Sequence, residues 1–110
     1  MFPFWEFLNY LCKMRIISRR KLREFWEKYT EAETPLKVWF KEVKKSEWKN
    51  FNKLKDQFRN ASVVGNDRVV FNIKGNDFRL IAAIDYEKQI CWIRFIGTHK
   101  QYDKIDAMTI

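Results

Sequence analysis

Residues 97–106 read Gly-Thr-His-Lys-Gln-Tyr-Asp-Lys-Ile-Asp and contain the chain's single histidine, His99, with Lys100, Tyr102 and Asp103 within four positions of it. These are the residue types that RNA cleavage without a metal requires. A base takes the proton from a ribose 2′-hydroxyl, a cation steadies the phosphate as negative charge develops, and an acid protonates the departing 5′-oxygen. Histidine titrates near neutrality and serves as either base or acid. Arginine grips phosphate with a bidentate fork, lysine as a point charge. Tyrosine stacks on a base or donates a proton. On composition alone, a lone histidine after an apolar run is more often structural, and Tyr102-Asp103 reads equally as the start of a C-terminal turn. The elements that position these residues therefore decide the matter.

The chain has 110 residues, the size of one domain. Its apolar share of 46% and aromatic share of 17% supply a core without staples and exclude global disorder. The formal net charge is +8, and the excess sits early: residues 13–59 carry fifteen Lys/Arg against seven Asp/Glu, whereas residues 60–110 carry seven against six. Such asymmetry suits a polyanionic partner, though a merely soluble basic surface fits charge alone as well. Cys12 and Cys91 form no CxxC pair, which argues against a disulfide framework and for a reducing cytoplasm. One His and two distant Cys are too few for a zinc site, so no metal and no cofactor is expected. Residues 1–12 are apolar, but a membrane span needs about 20 residues and a secretory signal begins with positive charge. Met14 then opens "MRIISRRKL" in the manner of a natural N-terminus. Residues 1–13 are read as a poorly ordered extension upstream of a domain over 14–110; a short amphipathic helix packed on the domain is the other reading.

Residues 15–18 form a strand candidate, and Ser18 is placed to cap a helix over 19–29. Leu22, Phe25, Trp26 and Tyr29 give that helix one apolar face. Arg19, Arg20, Lys21 and Arg23 crowd its first turn, where cations are unfavourable. Thr34-Pro35 marks a second helix start, and Leu36, Phe40 and Val43 share a face. Lys37, Lys41, Lys45, Lys49 and Lys53 recur every four residues, but a break near Ser46-Glu47 is expected, with Trp48, Phe51, Leu54 and Phe58 forming a further stripe.

The second half reads as three strands, over 67–74, 77–86 and a third running to Gly97. Gly75-Asn76 suits a two-residue hairpin turn, which sets Phe71 opposite Leu80 and Asn72 opposite Arg79. A turn near Glu87-Lys88 sets Leu80 opposite Phe95, Ala82 opposite Ile93 and Ile84 opposite Cys91. One face is then Val69, Phe71, Ile73, Phe78, Leu80, Ala82, Ile84, Cys91, Ile93 and Phe95, and should pack against the helices. The other is mixed: Arg68, Val70, Asn72, Arg79, Ile81, Ala83, Trp92, Arg94 and Ile96. A one-residue slip in either turn would scatter the arginines and Asn72 gathered there.

The segments "MRIIS", "RVVFNIKGNDFRLIAAIDY" and "WIRFIGTHKQYDKID" resemble the HigB toxins of bacterial type II toxin–antitoxin systems, in the RelE superfamily. The resemblance covers residues 14–110. It implies an α+β fold, RelE-like, with two to three helices packed on one face of a small antiparallel sheet. It implies a metal-independent mRNA endonuclease acting mainly on ribosome-bound message in the cytoplasm. It implies as partner a HigA-like helix-turn-helix antitoxin, through which alone operator DNA would be contacted. Arg79 matches the family's central-strand arginine for the scissile phosphate; His99 and Lys100 fall in the post-strand segment that contributes catalytic groups, and Tyr102 near its aromatic member. Arg79 and Lys100 are thus expected to stabilise phosphate, His99 to move protons, and Tyr102 to stack on or orient the RNA. Arg19, Arg20, Lys21, Arg23, Lys41 and Lys45, with Arg68, Asn72 and Arg94 on the sheet, are expected to bind RNA. A non-catalytic RNA- or ribosome-binding module of the same fold, or a domain docking an acidic protein, would use the same charge.

Overall fold

The computed structural model describes residues 14–110; the expected extension at residues 1–13 lies outside the described residues. The elements run β1 (Arg15–Ile17), α1 (Arg20–Lys28), a 3-10 turn (Thr30–Ala32), α2 (Glu33–Lys44), α3 (Phe51–Gln57), β2 (Ser62–Gly65), β3 (Arg68–Ile73), β4 (Phe78–Asp85), β5 (Ile90–Thr98) and a one-turn helix α4 (His99–Tyr102). The five strands lie in the order β1-β5-β4-β3-β2. Every pairing is antiparallel except β1 with β5, which is parallel at one edge. The α+β class expected from the sequence is the class observed, with one strand more than expected and this single parallel pair.

The apolar face predicted for the helices is the one they cover. Leu22 and Phe25 of α1, Leu36, Trp39 and Val43 of α2, Trp48, and Leu54 of α3 are buried against Val69, Phe71, Leu80, Ala82, Ile84, Cys91 and Ile93. Edge-on ring pairs fasten the layers: Phe25 on Phe78 at 5.3 Å, Trp39 on Phe71 at 5.3 Å and Phe58 on Phe71 at 5.2 Å between centroids. The helical stretch breaks after Lys44, near the expected place. The buried Ser46 hydroxyl shares its one proton between the Glu42 carbonyl at 2.7 Å and Gln57 Oε1 at 3.0 Å, and Gln57 Oε1 also accepts from the Trp48 indole at 3.0 Å. Those bonds satisfy the polar atoms that the break draws inward.

Two helix starts differ from expectation. Ser18 sits at φ 70° and its hydroxyl does not cap α1; instead its carbonyl accepts from the Lys21 amide at 3.1 Å. The 3-10 turn leads directly into α2, so the helix begins at Glu33 and Pro35 falls inside its first turn, where the missing N–H costs nothing. β2 was not expected. Its hairpin to β3 turns through Asn66 and Asp67, both at positive φ (49° and 59°), as a two-residue primed turn demands. The signal was Gly-Asn-Asp between two Val-Val pairs.

The β3–β4 register is as predicted, with Phe71 opposite Leu80 and Asn72 opposite Arg79. Lys74 and Gly75 take positive φ at the turn, and the Lys74 ammonium binds Glu31 at 2.7 Å. That hydrogen bond holds the Glu31 carboxyl below its ordinary value and the Lys74 ammonium above its own.

Between β4 and β5 the expected register holds only partway. Ala82 faces Ile93 and Ile84 faces Cys91, but between Ile81 and Ala82 the pairing shifts, so Ile81 faces Phe95 and Leu80 faces Ile96 rather than Phe95. The extra residue in β5 is Arg94, the mark of a β-bulge. Past it, the faces exchange. Ile96 packs toward the core, and Phe95 lies on the mixed face with Gly97, now directly opposite Arg79. A Cβ on Gly97 would come 2.5 Å from the Phe95 ring and 2.8 Å from the Gln101 side-chain oxygen. Gly97→Ala should therefore destabilise the fold by about 1–3 kcal/mol through overpacking, seen as a melting temperature lower by several degrees; an unchanged melting curve would contradict the packing. Burial pushes the Cys91 thiol up to about 12, so it should resist iodoacetamide at pH 8 in the native chain and react after denaturation. Mass-spectrometric mapping of Cys91 checks this, and native labelling at a free-thiol rate would contradict the burial.

Candidate active site

β5 runs one residue further than expected and delivers Thr98 as the cap of α4. The Thr98 hydroxyl accepts from the Gln101 amide at 3.2 Å, and the Gln101 side-chain oxygen accepts from the Thr98 amide at 2.8 Å. This reciprocal box lets a single turn of helix hold its shape. The His99 amide also donates to the Asp77 carbonyl at 3.2 Å, tying α4 to the β3–β4 turn. The short helix is thus fixed to the end of the sheet at which Arg79 stands.

Arg79 is half-buried on the mixed face, opposite the face that α1, α2 and α3 cover. Its Nη1 donates to the Asn76 carbonyl at 3.1 Å, and its guanidinium carbon lies 5.9 Å from the centre of the Tyr102 ring, within cation–π range. Asn72, its cross-strand neighbour, donates to the Asn76 side chain at 3.4 Å. One helical turn from Tyr102, His99 Nδ1 sits 3.1 Å from Asp103 Oδ2, with both side chains more than half exposed. Asp103 was seen in the sequence beside His99 but not assigned to the site; the spacing of four across a one-turn helix was the available signal. Lys100 is exposed, beside a cleft that His99, Lys28, Tyr29 and Asp77 also line. The Arg79–Tyr102 contact and the His99–Asp103 pair meet on one helical turn, but His99 and Lys100 line a cleft with Lys28, Tyr29 and Phe78 that Arg79 and Tyr102 do not line. Among the described residues no group of three or more His, Cys, Asp or Glu is placed to hold a metal ion, and no helix is long and apolar enough to cross a membrane.

The residues expected to bind RNA do not share one surface. Arg94 was expected beside Arg79, but the bulge removes it to the neighbourhood of Arg68. Arg68 Nη2 and Nε, at 3.1 and 3.3 Å, and Arg94 Nε, at 3.3 Å, all donate to the backbone oxygen of Ile110. On α1, Arg20 and Arg23 line a groove toward α2 with Leu22, Trp26 and Phe40, and Arg19 lies 5.7 Å over the Phe40 ring. Lys21 turns the other way, toward Arg94 and Phe95 at the edge of β5. Lys41 and Lys45 are exposed on the helix layer, which covers the face of the sheet opposite Arg79.

Comparison with known proteins agrees with this architecture. Residues 32–105 match the family model described as HigB_toxin, a RelE-like toxic component of a toxin–antitoxin system. The chain is 32% identical over 97 residues to the mRNA interferase toxin HigB of Escherichia coli K12, covering 86% of this chain and 93% of that protein. The mRNA interferase HigB of Shigella flexneri gives the same figures. That of Escherichia coli O6:H1 is 26% identical over 94 residues, covering 84% of this chain and 91% of the relative. With a family match spanning most of its length and relatives aligned along nearly their whole sequence, the chain belongs to the HigB family of RelE-like toxins.

Proposed function

We propose that this HigB-family toxin is an endoribonuclease that cuts mRNA without a metal, acting on message held by the ribosome and neutralised by a HigA-like helix-turn-helix antitoxin. The observation that carries the reading is the contact at the end of the sheet, where the Arg79 guanidinium lies over Tyr102 on the same turn of helix that presents the His99–Asp103 pair. The names of its relatives, which are mRNA interferases, supply the substrate class.

In this reading Arg79 binds the scissile phosphate and steadies the charge that gathers on it, and Lys100 adds a second positive charge from the rim. His99, paired with Asp103, takes the proton from the 2′-hydroxyl as that oxygen bonds to phosphorus, or supplies one to the 5′-oxygen as the P–O5′ bond breaks, with solvent carrying the other proton. Tyr102 stacks on or orients the RNA beside Arg79. The cytoplasm, where message is translated, is the compartment in which it would act, and operator DNA would be met only through the antitoxin.

Expression of the chain should arrest growth, and co-expression of a helix-turn-helix protein encoded beside it should relieve the arrest. Arg79→Ala and His99→Ala should each lower cleavage of mRNA on purified translating ribosomes by roughly 10²–10⁴-fold, with circular dichroism unchanged. Full cleavage by both variants would remove the proposed site. RNA binding by the parent chain with no cut product would favour the non-catalytic module instead.

A further inference from the structure

The mixed face of the sheet carries a second concentration of nucleotide-binding chemistry, away from Arg79. Arg68, Ala83 and Trp92 form one row across β3, β4 and β5. Arg68 stands four residues from Asn72, the partner of Arg79, so this row lies about 13 Å along the strands from the proposed catalytic arginine. Trp92 is 45% exposed, the one tryptophan among the large exposed apolar side chains described. The Arg94 guanidinium lies 5.1 Å from its ring centre, because the bulge aims Arg94 along this face.

What now fills the row is the chain itself. From α4, residues 103–110 cross the mixed face toward the β2–β3 turn, where the Asn66 side chain donates to the Met108 carbonyl at 3.2 Å and the Met108 methyl packs over Gly65. Val70 and Ile81, which point to this face, are 5% and 0% exposed. Three guanidinium N–H groups from two arginines converge there on one oxygen of Ile110, the last residue of the sequence. Among the described residues neither arginine pairs with a carboxylate side chain. Guanidinium groups gathered from two strands onto one oxygen mark a place that collects acceptors, and a phosphate presents several charged oxygens to the same donors.

Resting on the RNA-cleaving reading, we propose that Arg68, Arg94 and Trp92 form a second nucleotide subsite, and that residues 106–110 occupy it until RNA displaces them. The two arginines take a backbone phosphate flanking the one that is cut, and Trp92 stacks on the attached base. The tail is then an internal competitor: it shields an apolar strip of the sheet in the free protein and weakens RNA binding by whatever its own contacts contribute.

A 2′-O-methyl single-stranded RNA oligonucleotide, which cannot be cut through its 2′-oxygen, reads binding apart from cleavage. By fluorescence anisotropy, Trp92→Ala should weaken its binding at least fivefold, in keeping with the cost of losing one base stack. Arg68→Gln with Arg94→Gln should weaken it and lower the salt slope by about 0.7, the loss of one phosphate contact. Truncation after Met108 removes the oxygen both arginines hold and should tighten binding several-fold; adding the two arginine substitutions to the truncated chain should abolish that gain. Unchanged affinity in the Trp92 variant and in the double-arginine variant would overturn the subsite, even if truncation unfolds the chain. So would a truncation that leaves RNA affinity unchanged but alters affinity for the antitoxin, since the site would then belong to the protein partner. The two readings separate cleanly. Cleavage that depends on Arg79 but not on Trp92, Arg68 or Arg94 sinks the subsite alone, and binding that depends on these three without any cleavage of translated message sinks the nuclease alone.

Discussion

Between Ile93 and Phe95 the last strand holds one residue more than the strand beside it, and most of what can be said of this protein's chemistry follows from that insertion. A bulge costs a ladder hydrogen bond and bends the strand. In return it exchanges the faces of everything beyond it. Without the extra residue Ile96 would stand opposite Arg79 on the mixed face, and its branched side chain would occupy the space beside the guanidinium. With it, Gly97 takes that place, Ile96 goes to the core, and Phe95 lies over the glycine. The absence of a side chain at Gly97 leaves the Arg79 guanidinium a neighbour it can share with Tyr102.

The same insertion explains why α4 sits where it does. Thr98 ends β5 opposite Phe78, its capping box starts the one-turn helix at once, and the His99 amide reaches back to Asp77. A helix of one turn has no stability of its own. It persists because both ends of the segment are tied to the sheet, and so Tyr102 and the His99–Asp103 pair are held on a rigid frame rather than on a loop. The His99 and Asp103 side chains stand more than half exposed, whereas the Cys91 thiol beneath the helices is shut away.

Periodicity and turn chemistry made the greater part of this legible in the sequence. Alternation in residues 67–86 and the Gly-Asn turn were enough to pair Asn72 with Arg79, and the apolar faces of α1 and α2 followed from spacing. The bulge was not legible, because "CWIRFIG" alternates acceptably in either register: Phe95 and Ile96 are both apolar, and nothing local chooses which of them is buried. The choice is made by tertiary packing, since Ile96 fits beside Leu80 under the helices. β2 was missed because four residues with two valines are too few to show a period. The scatter of the basic residues was missed for another reason. Positive charge marks an expected partner without marking a face, and Arg19, Lys21, Lys41 and Arg94 prove to lie on several sides of the fold.

The central claim is the register beyond the bulge, since it alone brings Gly97, Arg79 and Tyr102 together. Nuclear Overhauser effects across β4 and β5 in the isotope-labelled protein test it directly. The account predicts cross-strand contacts of Arg79 with Gly97 and of Leu80 with Ile96, alongside those of Ala82 with Ile93. Contacts of Arg79 with Ile96 and of Leu80 with Phe95 would contradict it, for an unbroken ladder would set an isoleucine beside the arginine and carry α4 away from it.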